Sequence, residues 1–135
     1  MPNLTIFDVA GSGMHAQSTR LNTIASNLAN ADSVSGDPNA VYRPREPVFT
    51  VHGFGPDGTH QGVRVTQIQQ SQAEPIARYQ PGHPQADGQG YVYAPDIDPV
   101  AQMVNLISAS RSYQANVEVM NTAKELALAT LNMGR

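Results

Sequence analysis

The chain of 135 residues contains no cysteine. That removes disulfide staples, thiol nucleophiles and zinc–thiolate centres from consideration. It contains no tryptophan, and aromatic residues make up only 6%. Charge is scarce too, at 14% of residues against roughly 25% in ordinary soluble domains. The net charge is −3 at pH 7, so no excess of basic residues is available to grip nucleic acid or an anionic membrane face. No run approaches the ~18 apolar residues of a membrane span, which argues against direct membrane insertion. The N-terminal stretch MPNLTIFDVAGSGMHAQ lacks the basic n-region and unbroken apolar h-region of a cleavable secretion signal. A protein leaving the cytoplasm with this N-terminus needs a route without signal cleavage.

Catalytic signatures are missing as well. The histidines His15, His52, His60 and His83 have no metal-ligand spacing. There is no G-x-S-x-G and no H-E-x-x-H, and the glycine cluster Gly53–Gly58 precedes no helix, which argues against phosphate binding. Asp96 and Asp98 flank Ile97, but Asp98 is better explained as a helix cap, and no second carboxylate forms the pair a glycosidase needs. The sequence therefore assigns no catalytic, metal-binding or cofactor-binding residue and argues against an enzyme.

What the chain does have is length in its helices. Asp98 to Met133 contains no glycine and only Pro99, which follows an Asp at the expected N-cap. Gly134 stands where a helix stop is expected. The run reads as one helix of about 35 residues, roughly 50 Å long. A chain of this size cannot cover such a rod with its own core, so the helix needs partners. It carries two apolar seams. Met103, Ile107, Val117, Leu128 and Leu131 form one; Leu106, Ala109, Tyr113, Met120, Ala123 and Ala127 form the other. Two seams point to more than one packing partner, and with the family resemblance given below the second, Leu106 to Ala127, is expected to face a neighbouring subunit. Arg111, set among small residues, reads either as a solvated charge or as a contact across a subunit boundary.

Residues 4 to 31 read as a second long helix. Ala10, Met14, Gln17, Leu21, Ile24, Leu28 and Ala31 alternate by fours and threes, with Ile6 extending the apolar side. Gly11 and Gly13 leave two readings open: the helix begins after Gly13, or the glycines admit a closely packed neighbour. Residues 31 to 38, ADSVSGDP, are a loop. Most of the prolines and glycines fall between the helices. Short β-like runs occur there at 48–51, 63–68, 77–79 and 91–93, and the glycine-rich turn at 53–58 links the first two as a hairpin. The expected fold class is α+β: two long terminal helices pair as an antiparallel coiled-coil-like hairpin around a small β-rich insert. The expected segments are 1–32, 33–97 and 98–135, with both helices in one core domain.

Particular residues also carry a resemblance. Ile6-Phe7-Asp8-Val9-Ala10-Gly11-Ser12, Ala16-Gln17-Ser18, Arg20-Leu21-Asn22 and Ala25-Ser26-Asn27-Leu28-Ala29-Asn30-Ala31-Asp32-Ser33 resemble the N-terminal motif of the bacterial flagellar rod and hook family. The motif proper is Ser26, Asn27, Leu28, Ala29 and Asn30. Met103-Val104-Asn105, Ile107 through Val119 and Asn121-Thr122-Ala123-Lys124 are similar to the C-terminal run of its proximal-rod members, as are Tyr79, Pro81 to Pro84, Ala86-Asp87 and Gly90-Tyr91-Val92 in the middle. Gly13-Met14 and Ala101-Gln102 depart from the family pattern, and the proline-rich segment 37–56 is less family-like.

The resemblance implies a structural subunit of the proximal rod of the flagellar basal body. Such a subunit polymerises through its terminal helices into a helical tube that crosses the periplasm and carries torque from motor to hook. It is exported through the flagellar type III apparatus without a cleaved signal peptide. Implied partners are copies of the chain itself, the sibling rod proteins FlgB, FlgF and FlgG, and the adaptor FliE; no cofactor is implied. Expected packing residues are Ile6, Met14, Leu21, Ile24, Leu28, Met103, Leu106, Ile107, Arg111, Tyr113, Val117, Met120, Leu128 and Leu131. A competing reading is an export adaptor or chaperone-like binding module of the same system, with the insert as its recognition surface.

Overall fold

A computed structural model of the protein describes residues 2–55 and 57–134, apart from the side chains of residues 2–4. The element order is α1 (Pro2–Ala29), β1 (Arg45–Phe54), β2 (His60–Gln70), β3 (Ile76–Tyr79), β4 (Tyr91–Ala94) and α2 (Pro99–Met133). The architecture is α+β: two long terminal helices flank two small antiparallel hairpins, β1–β2 and β3–β4.

Both ends of α2 follow from local chemistry. The Asp98 carboxylate accepts a hydrogen bond from the Val100 amide at 2.9 Å, Pro99 occupies the first turn, and Gly134 ends the helix. Gly134 stops it without entering the left-handed region, since its φ is −90°. The first helix runs straight through Gly11 and Gly13, so the reading that it begins after Gly13 fails. Its end is set by Asn30, whose side chain donates to the Ser26 carbonyl at 2.8 Å while its own carbonyl accepts from the Ser33 hydroxyl.

The helices lie antiparallel. Ile24 and Asn27 share a cleft with Gln102 and Asn105, Leu21 lies beside Leu106 and Ser110, and Ile6 and Val9 lie beside Asn116 and Val119. Close approach depends on Gly13, where a Cβ would sit 2.8 Å from the Asn116 amide nitrogen. Gly11 has no such neighbour, so only one of the two glycines serves helix packing.

The seam of α2 that faces α1 is Gln102, Leu106, Ala109, Tyr113, Asn116, Met120, Ala123 and Ala127, all buried or half-buried. The structure therefore corrects the expectation that Leu106 to Ala127 faces a neighbouring subunit. The physical reason is fit: small and amide side chains at 109, 116 and 123 match Gly13 and the small residues of α1, whereas the bulky aliphatic seam would hold the axes apart.

The β1–β2 hairpin extends beyond the expected runs, pairing Arg45 with Gln70 through Phe54 with His60. A bulge between Val48 and Phe49 leaves Thr66 as an extra residue on β2. In the second hairpin, β4 also bridges Ser35, exchanging backbone hydrogen bonds of 2.8 and 2.9 Å between Ser35 and Tyr93. Ala31, Val41, Val92 and Ala94 supply the buried apolar residues of this region.

The core is thin. Among the described residues, the largest side chains under 2% exposed or close to it are Val92 and Asn27. Gln17, the polar break in the α1 seam, has its carbonyl oxygen buried with no partner among the described residues.

Candidate functional site

Two polar clamps bind the insert to α1. At the first, the Asn27 side chain meets the backbone of Arg45 on both sides: its amide donates to the Arg45 carbonyl at 2.9 Å, and its carbonyl accepts from the Arg45 amide at 2.9 Å. That same Asn27 oxygen accepts from the Tyr42 hydroxyl at 3.0 Å, and Tyr42 lies 3.1 Å from the Ser26 hydroxyl. Asn27 is only 2% exposed, and the contacts it makes are part-buried. At the second, Ser12 donates to the Val9 carbonyl at 2.7 Å and accepts from the Val63 amide at 3.1 Å. The backbone comes this close because residue 62 is glycine; a Cβ there would overlap the Ser12 hydroxyl and the Phe54 ring.

The clamps match in length. Ser12 and Asn27 lie ~22 Å apart along α1 at 1.5 Å per residue. Val63 pairs with Val51, and Val51 lies ~20 Å from Arg45 along β1 at ~3.3 Å per residue. The hairpin is thus fastened at two points along one face of α1. The Ser-Asn-Leu-Ala-Asn motif accounts for one of these, with Ser26 and Asn27 holding the insert, Asn30 ending the helix, Leu28 half-buried and Ala29 exposed. The partner residues Tyr42 and Arg45 and the second clamp at Ser12 carried no signal of their own in the sequence. The Ser26-Asn27 pair inside the motif was the only available hint.

A third polar node fixes β4. Asp87 accepts from the amides of Gln89 and Tyr91, each at 2.9 Å. The Tyr91 amide foremost, opposed by desolvation and aided by Gln89 and the Tyr93 hydroxyl, holds its carboxyl below the ordinary value of 3.8. Desolvation first, and then the Asp87 charge, pushes the Tyr93 hydroxyl up from its usual value.

The residues expected to pack between subunits fall into three groups. Ile24 is 5% exposed and serves the chain's own interior. Met14, Leu21, Leu28, Leu106, Tyr113, Val117 and Met120 are half-buried along the helix pair. Ile6, Met103, Ile107, Arg111, Leu128 and Leu131 are exposed, and Arg111 has no ion-pair partner among the described residues. Val100, Val104, Val119 and Leu126 add to the exposed apolar surface of α2. In total the molecule exposes 9030 Å² for a mass of 14.4 kDa. A compact monomer of that mass exposes roughly 6,800 Å².

Among the described residues no cluster of His, Cys, Asp or Glu could hold a metal ion, and no helix is long and apolar enough to cross a membrane.

Comparison with known proteins gives the family. Residues 7–36 match the family model for flagella basal body rod protein, and residues 89–133 match that for the flagellar basal body rod FlgEFG protein C-terminal region. The flagellar basal-body rod protein FlgC of Escherichia coli O6:H1 is 53% identical across the full length of both chains. That of Salmonella typhimurium is 52% identical over the same span. FlgC of Aquifex aeolicus is 40% identical, covering 88% of this chain and 87% of the relative. The residues quoted above for their resemblance to rod proteins fall mostly inside the two matched segments, which hold α2, most of α1 and the motif. The chain belongs to the FlgC family of flagellar basal-body rod proteins, which are structural subunits rather than enzymes.

Proposed function

We propose that the chain is a subunit of the proximal rod, and that its terminal helices pack with those of neighbours into a helical tube. The observation that carries this reading is the unpartnered aliphatic surface of α2 on a molecule with about 2,200 Å² more exposed area than a compact monomer of its mass. That excess equals the share one partner contributes to between two and three standard protein interfaces, at about 800 Å² each. Contacts between unlike faces generate open helical assemblies rather than closed rings. The tube crosses the periplasm and passes torque from motor to hook, and the two clamps make the insert part of the same rigid body as the helices. Neighbours are copies of the chain, the sibling rod proteins FlgB, FlgF and FlgG, and the adaptor FliE. The chain leaves the cytoplasm through the flagellar type III apparatus.

The exposed group Ile6, Met103, Ile107, Arg111, Leu128 and Leu131 makes the contacts between subunits, and the half-buried group supports it from behind. Ile107 is 56% exposed, so a charge there leaves the fold of the single chain intact. Ile107→Asp is expected to yield a chain with normal circular dichroism that is absent from purified basal bodies, in cells that do not swim. Normal motility of that variant would overturn the packing scheme.

A further inference from the structure

A cleft of about 420 Å³ opens where α1, β1 and the first turns of α2 meet. Arg20 and Arg45 line it from α1 and β1, Gln102 and Asn105 from α2, with Phe49 as an apolar surface and Glu46 the one acid. Neither guanidinium has an ion-pair partner among the described residues. Arg45 is not loosely held: Asn27 grips its backbone, and its guanidinium lies 6.0 Å from the centre of the Tyr42 ring.

The complementary chemistry lies further along α2. Glu118 and Glu125 are the only acidic residues of that helix. They fall seven residues apart on one exposed stripe, also without ion-pair partners among the described residues. Exposed Val119, Leu126 and Leu128 flank them. One surface offers cations, amides and a ring; the other offers carboxylates among aliphatics. The two cannot meet within one chain, because Asn105 and Glu125 are ~30 Å apart along a continuous helix.

We propose that the Arg20–Arg45 cleft of one subunit receives the Glu118–Leu128 face of α2 from a second copy. This rests on the rod-subunit reading and specifies one of its contacts. The donating and receiving patches differ, so the contact is heterologous and propagates without closing. Their separation along α2 sets a head-to-tail offset of roughly 20–30 Å between successive copies. Guanidinium–carboxylate pairs then fix which offset is taken, since they are directional and desolvated on docking.

The absence of native cysteine allows a clean test. In cells assembling rods from the double variant N105C/E125C, oxidation is expected to give a disulfide ladder of dimers, trimers and higher species. N105C or E125C alone cannot extend beyond a dimer. Double-variant chains that enter basal bodies yet stay monomeric on oxidation would overturn the proposal while leaving the rod-subunit reading intact. A second pair of variants acts independently. R20E/R45E is expected to lower incorporation into basal bodies at least tenfold, and adding E118R/E125R is expected to restore it. Undiminished incorporation of R20E/R45E, or loss that the second pair does not restore, would overturn the assignment of a second copy as the occupant.

Discussion

Asn27 is the side chain on which most of the polar order converges. It satisfies both backbone groups of Arg45 and receives the Tyr42 hydroxyl. Asn27→Ala removes the partner of these part-buried groups, at a cost of about 1–2 kcal/mol. Urea unfolding of the purified chain is expected to show that loss, and hydrogen exchange is expected to speed up at the Arg45 amide. Asn27→Asp keeps the acceptor but places a charge beside the Arg45 carbonyl, so it is expected to rescue little. Asp87 makes a pH-dependent contribution. Its folded pKa lies below the ordinary 3.8, so the stability it adds is fully present above that value and is lost as pH falls through the lower folded value. The Gln89 and Tyr91 amide resonances are expected to titrate together with a midpoint below 3.8, and Asp87→Asn is expected to abolish that transition.

The two glycines of α1 differ at the scale of the element. At Gly11 nothing lies within 4 Å of an added Cβ, so Gly11→Ala should stabilise the chain by about 0.5–1 kcal/mol through helix propensity alone. At Gly13 the added Cβ meets Asn116, which is tied to the Ser112 carbonyl at 2.9 Å. The propensity gain is offset there, and Gly13→Val should separate the helices. Thermal unfolding of the two variants is expected to rank Gly11→Ala above the parent and Gly13→Val below it. This difference also marks what the sequence could reveal. The ends of α2 were legible, because Asp98-Pro99 and Gly134 act through local backbone chemistry. All four strands were located, but β1 begins at Arg45 rather than Val48: its outer residues pair with exposed glutamines of β2, where no apolar alternation exists to be seen. Which seam of α2 faces α1 was not legible. The aliphatic count favours neither seam decisively, and the choice rests on Gly13 meeting Asn116, a three-dimensional fit between residues far apart in the chain. The clamps were hidden for the same reason, since Asn27 and Ser12 bind backbone and backbone leaves no mark in composition.

For the whole molecule, the thin core and large surface place much of the stability in contacts that a single chain does not make. Long helices with little buried aliphatic surface depend on packing for their order. In the free monomer the outer parts of both helices are therefore expected to exchange backbone hydrogens rapidly, with protection concentrated near Asn27, β4 and the clamped hairpin. Assembly is expected to slow exchange along both helices. Strong protection at both chain ends in the isolated monomer would contradict this. A chain that orders late also suits passage through a narrow channel before its apolar faces meet partners.

The matched spans between the clamps constrain where the chain can change length. One residue added between Arg45 and Val51 lengthens that span by ~3.3 Å and turns every following side chain to the opposite face. Ser12 and Asn27 could then no longer both find their partners. Insertions and deletions are expected to be tolerated only outside the fastened span, chiefly between Phe54 and His60 and from Ser71 to Pro75. An epitope or fluorescent label placed beside Asp57, in the exposed turn, therefore reports on the subunit without loosening its hold on the helix, whereas the same label placed beside Thr50 detaches the hairpin.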